Sequence, residues 1–286
     1  MIHAQYTLRS LFVVTTILAL ALGWIPWKRR ELALRREEMR EVHKVIEANV
    51  FFPDELGSCP PPGPAWLRYW LGDDAFAEPE VDCFHTRGNL RLLQQYPRLK
   101  WLHMIPGSVH DMKELSPLAE LRHLTRLELP GDYFDDDALP YVARLAGLEE
   151  LNLRCALISD AGLRQLVPLQ SLRVLRVGWR SDDSDIPEIT DAGMKSIAEL
   201  SSLEELDIGC CHVSDQGVKL LRRLPRLRTL DLTLNPITDA TLEEVKRFPR
   251  LEQLDLTETN LTPAKVSEFQ KSCPRIKIVS RLFFSK

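Results

Sequence analysis

The chain has 286 residues, 27% of them charged, and a formal net charge of −4 at pH 7. A mildly acidic chain with no basic stripe through its repeated part is a poor match for a nucleic-acid-binding protein. Six cysteines in a chain of this length do not make a disulfide framework.

The first predicted element is an apolar segment that follows a short N-terminal tail (1–10). Residues 11–27 read LFVVTTILALALGWIPW, with no charge over 17 residues. At 1.5 Å per residue such a helix is about 25 Å long, near the lower limit for crossing a bilayer. Trp24 and Trp27 are typical of the membrane interface. We predict a single transmembrane helix, with a cleaved signal peptide as the alternative.

A charged segment, residues 28–57, comes next and predicts a juxtamembrane helix or stalk. Its first part is rich in basic residues: Lys28, Arg29, Arg30, Arg35, Arg36, Arg40 and Lys44. The tail before the apolar segment, residues 1–10, has a single Lys or Arg, which is Arg9. The positive-inside rule therefore places the remainder of the chain in the cytoplasm. A periplasmic or secreted location is the alternative.

Two further segments precede the repeats. Residues 58–64 read SCPPPGP and predict a hinge, because this density of proline excludes a helix. Residues 65–98 are rich in Trp, Leu and Phe but lack the repeated string. They predict an N-terminal cap, with a strand near residues 81–84.

From residue 99 onward one string recurs. The pattern L-x-x-L-x-L starts at Leu99, Leu124, Leu148, Leu172, Leu203, Leu227 and Leu251, with a partial copy at Ile276. The steps are 24 or 25 residues except for one of 31, and such a period indicates a stacked repeat. The alternation of Leu with polar residues predicts a strand in each copy. We expect seven turns over 99–275, a C-terminal cap at 276–286 and an insertion at 178–188. One shared core should bury Leu151, Leu175, Leu206 and Leu230.

A second string follows four of the strands: ISDAGL (158–163), ITDAGM (189–194), VSDQGV (213–218) and ITDATL (237–242). Its Ser or Thr predicts the N-cap of a short helix. The Asp that follows lies in the first turn, where the helix dipole favours a negative charge. Asp160, Asp191, Asp215 and Asp239 are therefore predicted to be helix-start residues and no more. The glycine two positions later indicates a close approach of neighbouring turns.

Together these strings resemble the leucine-rich repeat family over residues 99–279. The tail I-T/S-D-x-G-L is similar to the cysteine-containing subclass, although the ninth repeat position holds Ala156, Cys211, Asn235 or Thr259. The resemblance implies an α/β fold, a right-handed solenoid with a curved parallel sheet inside and short helices outside. The apolar start followed by repeats resembles bacterial single-pass, membrane-anchored leucine-rich repeat proteins.

Motifs for catalysis were sought in the sequence and not found. There is no P-loop, G-x-S-x-G, H-E-x-x-H or paired C-x-x-C motif. CCH at 210–212 contains metal-ligand residue types, but Cys211 falls at an inward repeat position and is predicted to be a core residue. We predict no enzyme activity, no cofactor and no metal site.

Function is then expected on the concave strand face, where the variable positions form columns. The predicted partner-binding residues of this face are Trp101, Arg126, Glu128, Glu150, Asn152, Arg176, Glu205, Asp207, Asp231 and Asp255. The last three form an acidic ladder on adjacent strands; like charges so placed repel. The insertion adds Trp179, Arg180, Asp182, Asp183 and Asp185 at the rim, including residue types common at binding hot spots.

These observations predict a membrane-anchored protein-interaction scaffold that binds a partner protein, through a basic segment, on its concave face. The ladder is equally expected if Asp is the default residue at that repeat position, and the insertion if it is a solvated surface loop. Two other functions stay open. One is a secreted or periplasmic structural or carbohydrate-binding repeat protein, after signal cleavage. The other, a ubiquitin-ligase-type substrate receptor, rests on the subclass resemblance alone.

Overall fold

A computed structural model describes residues 99–104, 111–178 and 189–279, with short pieces at 30, 48–51, 80–83, 90 and 93. The predicted transmembrane segment, the hinge and the insertion from 179 to 188 lie outside the described residues. Among the helices that are described, none is both long and apolar enough to span a bilayer.

Ten strands of the described chain form one sheet in chain order. They are β1 (Ala48–Phe51), β2 (Glu80–Cys83), β3 (Trp101–Met104), β4 (Arg126–Glu128), β5 (Glu150–Asn152), β6 (Val174–Arg176), β7 (Glu205–Asp207), β8 (Thr229–Asp231), β9 (Gln253–Asp255) and β10 (Lys277–Val279). β1 pairs with β2 in antiparallel orientation. All later pairs are parallel. β2 overlaps the strand predicted near 81–84, whereas β1 was not predicted from the sequence.

Short helices connect the strands. The described α-helices are α1 (Leu139–Val142), α2 (Asp160–Gln165), α3 (Asp191–Ile197), α4 (Asp215–Leu221), α5 (Ala240–Val245) and α6 (Pro263–Ser272). A 3-10 helix, Met112–Glu120, takes this place in the first turn. It contains Pro117, which removes a backbone donor from the helix interior. A second 3-10 helix, Asp136–Ala138, leads into α1.

The core follows from the register of the strands. Leu127, Leu151, Leu175, Leu206 and Leu230 lie directly opposite one another on successive strands and are fully buried. The prediction of one shared leucine core is thus confirmed. Parallel strands stack about 4.8 Å apart, whereas packed helices need about 8–10 Å. The strands therefore lie on the concave side and the helices on the convex side.

The long step of 31 residues does not interrupt the stack. β6 and β7, on either side of it, pair in the same register as their neighbours, with Leu175 opposite Leu206. Beyond the gap, the backbone N–H of Thr190 bonds to Asp160 of the preceding turn at 2.9 Å. Both flanks of the insertion therefore keep the contacts of regular turns.

The last strand departs from the predicted spacing. The sequence suggested a final step of 25 residues, with the partial copy starting at Ile276. In the structure Lys277 pairs with Gln253 and Ile278 with Leu254, which is a step of 24. Ile276 is still buried where the first leucine of a copy would lie. In the other copies two residues separate the first and second apolar positions. In the last copy only Lys277 separates Ile276 from Ile278, so the strand begins one residue sooner.

Candidate functional site

The N-terminal part of the strand face gathers five of the predicted site residues into one cluster. The Arg126 guanidinium lies 4.3 Å from the centroid of the Trp101 ring. Its Nε donates to Glu128 Oε1 at 2.9 Å and lies 3.6 Å from Glu150 Oε2. Asn152 Nδ2 donates to Glu128 Oε2 at 3.5 Å. The charges of this cluster are therefore largely satisfied by one another.

The middle of the strand face is also internally paired. Arg176 donates to Glu205 on the next strand, with N–O distances of 2.7 and 2.9 Å. In the neighbouring column Arg173 bonds to Glu204 at 3.1 Å. It also lies 3.5 Å from Glu149. Exposed pairs of this kind contribute little to stability, but they leave few free charges for a partner.

Asp207 is not an available surface carboxylate, although the sequence places it in the acidic ladder. Its residue is only 5% exposed. Arg154 Nε donates to its Oδ2 at 2.6 Å, and the Gly209 N–H donates to Oδ1 at 3.0 Å. Arg154 follows β5, whereas Asp207 is on β7, two strands further on. Gly178 lies in the turn between them, and a Cβ there would be only 2.8 Å from Asp207 Oδ1. The prediction that Asp207 faces a partner is wrong, because a buried carboxylate needs this internal cation.

Sequence reasoning missed Arg154 because it examined the columns within the strands only. Arg154 lies just beyond β5 and is separated from Asp207 by 53 residues along the chain. A column drawn two positions past each strand would have placed it near the acidic ladder.

Asp231 and Asp255 are the other two members of the ladder and lie on adjacent strands. Both are half-buried. Asp231 Oδ1 accepts the Thr233 N–H at 2.9 Å, and Asp255 Oδ1 accepts the Thr257 N–H at 2.9 Å. Among the described residues, neither forms an ion pair with a Lys or Arg. Burial raises the pKa of Asp231, and the charges of Asp207 and Asp255 act in the same direction against the hydrogen bonds from Thr233.

Two exposed apolar side chains belong to the same turns as this carboxylate pair or to the turn after them. Val279 lies directly beside Asp255 on β10 and is 42% exposed. Leu234 follows β8 and is 47% exposed, with a left-handed backbone (φ 55°). We call Asp231, Leu234, Asp255 and Val279 the C-terminal patch. It combines unpaired negative charge with apolar surface, which the paired parts of the strand face do not.

A second set of aspartates joins consecutive turns at the helix starts. In each joint one carboxylate accepts both the backbone N–H and the hydroxyl of a Ser or Thr in the next turn. The described joints are Asp136–Ser159, Asp160–Thr190, Asp191–Ser214, Asp215–Thr238 and Asp239–Thr262. The N–H distances are 2.8–2.9 Å throughout. We call these five aspartates the helix-start column.

These joints correct the prediction that the aspartates are helix-start residues and no more. The predicted N-caps are confirmed, since Ser159, Thr190 and Ser214 accept a backbone N–H of their own helix. The same hydroxyl also donates to the aspartate of the preceding turn. Each aspartate is structural, as predicted, but its main partners lie in the next turn.

The glycine that recurs in the second string makes room for this carboxylate. A Cβ on Gly193 would clash with Asp160, and one on Gly217 would clash with Asp191. In the following turn Thr241 takes the place of glycine, and its hydroxyl donates to Asp215. Burial alone would raise the pKa of Asp215, but hydrogen bonds from Thr241 and Thr238 outweigh it and hold that pKa below its ordinary value.

The ninth repeat position is buried in three of the four copies, at Ala156, Cys211 and Asn235. Cys211 is 6% exposed, which confirms the prediction, and burial raises the pKa of its thiol. Asn235 is buried and donates to the Ile208 carbonyl at 2.7 Å while accepting the Val213 N–H at 3.0 Å. Among the described residues, no group of three or more His, Cys, Asp and Glu is placed to hold a metal ion.

The predicted rim residues of the insertion lie outside the described residues, so their positions stay predictions. They are Trp179, Arg180, Asp182, Asp183 and Asp185. The described strand face thus contains the other ten predicted residues, and it separates them into paired charges, the buried Asp207 and the C-terminal patch.

Comparison with known sequences bears on the repeats directly. A sequence model described as "Leucine Rich repeat" matches residues 199–221 and 224–244. These residues include β7, α4, β8 and most of α5. The described turns form a leucine-rich repeat solenoid. No curated protein sequence matches the chain.

Solved structures with a similar fold include two internalins from Listeria monocytogenes. Internalin C2 has a TM-score of 0.53 and 24% identity, and the match covers 72% of this chain and 81% of that chain. Another internalin has a TM-score of 0.49 and 21% identity, over 68% of this chain and 50% of that chain. The chain thus spans only half the length of the second internalin. The likeness to internalin C2 extends to the leucine-rich repeat fold alone.

Proposed function

We propose that this protein is a protein-interaction scaffold that binds a partner on the strand face of its leucine-rich repeats. One observation carries the proposal: among the described residues of the strand face from β3 to β9, the arginines and glutamates pair with one another, whereas Asp231 and Asp255 form no ion pair. Asp231 and Asp255 lie side by side on adjacent strands. Exposed Val279 lies beside Asp255, and exposed Leu234 follows β8 in the same turn as Asp231. A binding surface needs charge and apolar area that the free protein leaves unsatisfied.

The partner segment is a basic one with an apolar side chain beside its cation. An Arg or Lys placed between Asp231 and Asp255 relieves the repulsion that contributes to the raised pKa of Asp231. An adjacent apolar side chain covers Leu234 or Val279, which removes apolar surface from water. The predicted rim loop, 178–188, follows β6 in the chain and adds specificity in this proposal.

Crosslinking tests where the partner binds. A photoreactive amino acid is placed at Gln253, which is exposed on β9, and in a matched variant at Gln270, which is exposed on α6. Illumination in cells should give a defined adduct from Gln253 and not from Gln270. Equal adducts from both positions, or none from Gln253, would contradict binding on the strand face.

Charge removal tests the role of the patch. Asp231→Asn with Asp255→Asn keeps the acceptors for Thr233 and Thr257 but removes both charges. We expect the Gln253 adduct to fall about tenfold, consistent with losing about 1.4 kcal/mol of binding free energy. Asp137→Asn with Glu268→Gln removes the same charge from exposed positions elsewhere and should leave the adduct unchanged.

We also propose that residues 11–27 anchor the scaffold in a membrane with the repeats in the cytoplasm. The apolar composition of this segment and the basic residues after it support the proposal. The full-length chain should then stay with membranes through high-salt and alkaline washes. A thiol reagent that does not cross membranes should fail to label Cys155 and Cys210 in intact cells. Release of a shortened chain would favour signal cleavage instead.

A further inference from the structure

The helix side carries a groove that the strand-face proposal does not use. It is an open depression of about 780 Å³, lined by residues of α3 and α4, by the two arginines that follow α4 and by Arg247 just beyond α5. Its described lining includes Lys195, Lys219, Arg222, Arg223 and Arg247 as cations, against a single carboxylate, Asp191. The whole chain has a net charge of −4, so this positive surface is a local feature of the fold.

The positive charge arises from two columns of the repeat. Lys195 and Lys219 each lie four residues after the aspartate of their turn, and Arg223 and Arg247 each lie eight residues after it. Residues 24 positions apart are one turn apart in space. No basic stripe was predicted for the repeats, because these cations lie in the helices and not in the strand positions that define the pattern. A column drawn through the helices would have found it.

Most of these cations lack an internal partner. Arg222 and Arg247 share Glu244, at 2.9 and 3.5 Å. Within the described part of the chain, Lys195, Lys219 and Arg223 form no ion pair.

The carboxylate of the groove does not compensate for this charge. Asp191 already accepts the Ser214 N–H and hydroxyl at 2.8 and 2.6 Å. On the strand face, by contrast, Arg126, Arg154 and Arg176 are all paired with carboxylates.

We propose that this groove binds an acidic segment of a partner protein, distinct from the segment that binds on the strand face. The complementary ligand is a run of carboxylates, because Arg223 and the shared Arg247 offer planar guanidinium donors that match carboxylate geometry. Ala192 and Leu220 add apolar surface to the lining and suit a small or aliphatic side chain between the acidic residues.

The mixed lining favours a polypeptide over a membrane surface. Ala192 and Leu220 lie among the cations and can pack against a side chain between two acidic residues, whereas a layer of anionic headgroups offers charge alone. With this second site, the scaffold holds a basic segment on its strand face and an acidic segment on its helix side.

Peptide binding to the full-length chain tests the groove. The probe is a fluorescent decaglutamate peptide, measured by anisotropy at low ionic strength and again in 0.5 M salt. We expect Lys195→Gln with Lys219→Gln to weaken binding about tenfold, and 0.5 M salt to weaken it further because the contacts are exposed. Lys113→Gln with Lys271→Gln is the matched control, since both lysines are exposed on other helices, and it should bind like the parent chain.

Three outcomes would overturn the proposal. One is equal weakening in the control variant, which would indicate general electrostatic attraction. Another is unchanged binding in the Lys195 and Lys219 variant. The third is failure of decaglutamate to bind while phosphatidylserine vesicles bind in a manner that depends on Lys195 and Lys219, which would assign the groove to a membrane. Crosslinking at Gln253 tests the strand face independently of this peptide assay. The strand-face proposal and the groove proposal can therefore fail separately.

Discussion

Two aspartate columns run along this solenoid and use their carboxylates differently. In the helix-start column, both oxygens of Asp191 accept hydrogen bonds from the next turn. In the strand-end column, formed by Asp207, Asp231 and Asp255, Oδ1 accepts an N–H two residues later in the same turn. The first column joins turns to one another, and the second closes the end of its own strand.

The difference shows that period alone does not define the role of a repeated charge. Both columns recur once per turn, but their carboxylates differ in pKa. Burial raises the pKa of Asp215, and hydrogen bonds from the next turn outweigh this and lower it below its ordinary value. Burial and neighbouring carboxylates raise the pKa of Asp231. Donors from the next turn thus identify a carboxylate that joins two turns, whereas Asp231 accepts its described hydrogen bonds from Thr233 of its own turn.

The largest expected effect comes from placing an aspartate in the buried core, where it belongs to neither column. Leu206 is fully buried within the leucine core, away from water and from the donors of either column. Leu206→Asp should lower the free energy of unfolding by about 5 kcal/mol, because it buries an unpaired carboxyl. Urea unfolding followed by circular dichroism measures the loss. Unfolding at the midpoint of the parent chain would contradict the position of Leu206 in the core.

The next effect compares one member of each column. Asp191→Ala leaves the Ser214 N–H and hydroxyl without their acceptor, which should cost about 2–3 kcal/mol. Asp231→Ala removes the acceptor of the Thr233 N–H and hydroxyl but also relieves repulsion with Asp207 and Asp255, so it should cost less, about 1 kcal/mol. The free energies of unfolding in urea decide the comparison. Equal losses would mean that the two columns have the same structural role.

A matched pair of substitutions tests how the joint is packed. At Gly217 any Cβ meets Asp191 and lies 2.7 Å from Val213 Cγ1, so both Gly217→Val and Gly217→Thr should be destabilising. Gly217→Thr should lose about 1 kcal/mol less, because its hydroxyl can donate to Asp191 as Thr241 does to Asp215. Thermal unfolding of the two isosteric variants gives the difference. A less stable Thr variant would exclude this hydrogen bond.

The smallest effect is the pH dependence, and it has opposite signs in the two columns. The lowered pKa of Asp215 contributes stability above the unfolded value of about 3.9, and this is lost as the pH falls below it. The raised pKa of Asp231 opposes folding at neutral pH, and this cost disappears as the pH falls through the folded pKa toward about 3.9.

Asparagine variants separate these two contributions. Asp215→Asn should reduce stability more at pH 7 than at pH 3. Asp231→Asn should raise it slightly at pH 7 and change it less at pH 3. Because both groups are partly exposed, each effect should stay below about 1 kcal/mol. Urea titrations at the two pH values measure the signs, and the same sign for both variants at pH 7 would contradict the contrast.

The fold was largely predictable because it depends on which way a residue faces. The spacing of Leu151, Leu175, Leu206 and Leu230 in successive copies determines the register, and burial follows from it. The Ser and Thr N-caps were predictable for a similar reason, since their donors lie two or three residues away in the same copy.

The parts of the site that escaped prediction depend on contacts between copies. Arg154 and Asp207 are 53 residues apart. The Asp160 carboxylate meets Thr190 30 residues later. A repeat pattern shows that such residues share a face, but not which side chain extends across a strand to which neighbour. The distinction between the buried Asp207 and the half-buried Asp231 was lost for this reason.

The joints of the helix-start column also have a direction. Each regular turn presents a hydroxyl to the turn before it and a carboxylate to the turn after it, on two adjacent residues such as Ser214 and Asp215. Pro263 occupies the carboxylate place after Thr262, so the series ends there. A duplicated 24-residue stretch that includes residues 214 and 215 therefore brings a complete joint with it. Tandem copying can lengthen this protein in its interior without any other change, whereas a turn added beyond Thr262 would find no acceptor.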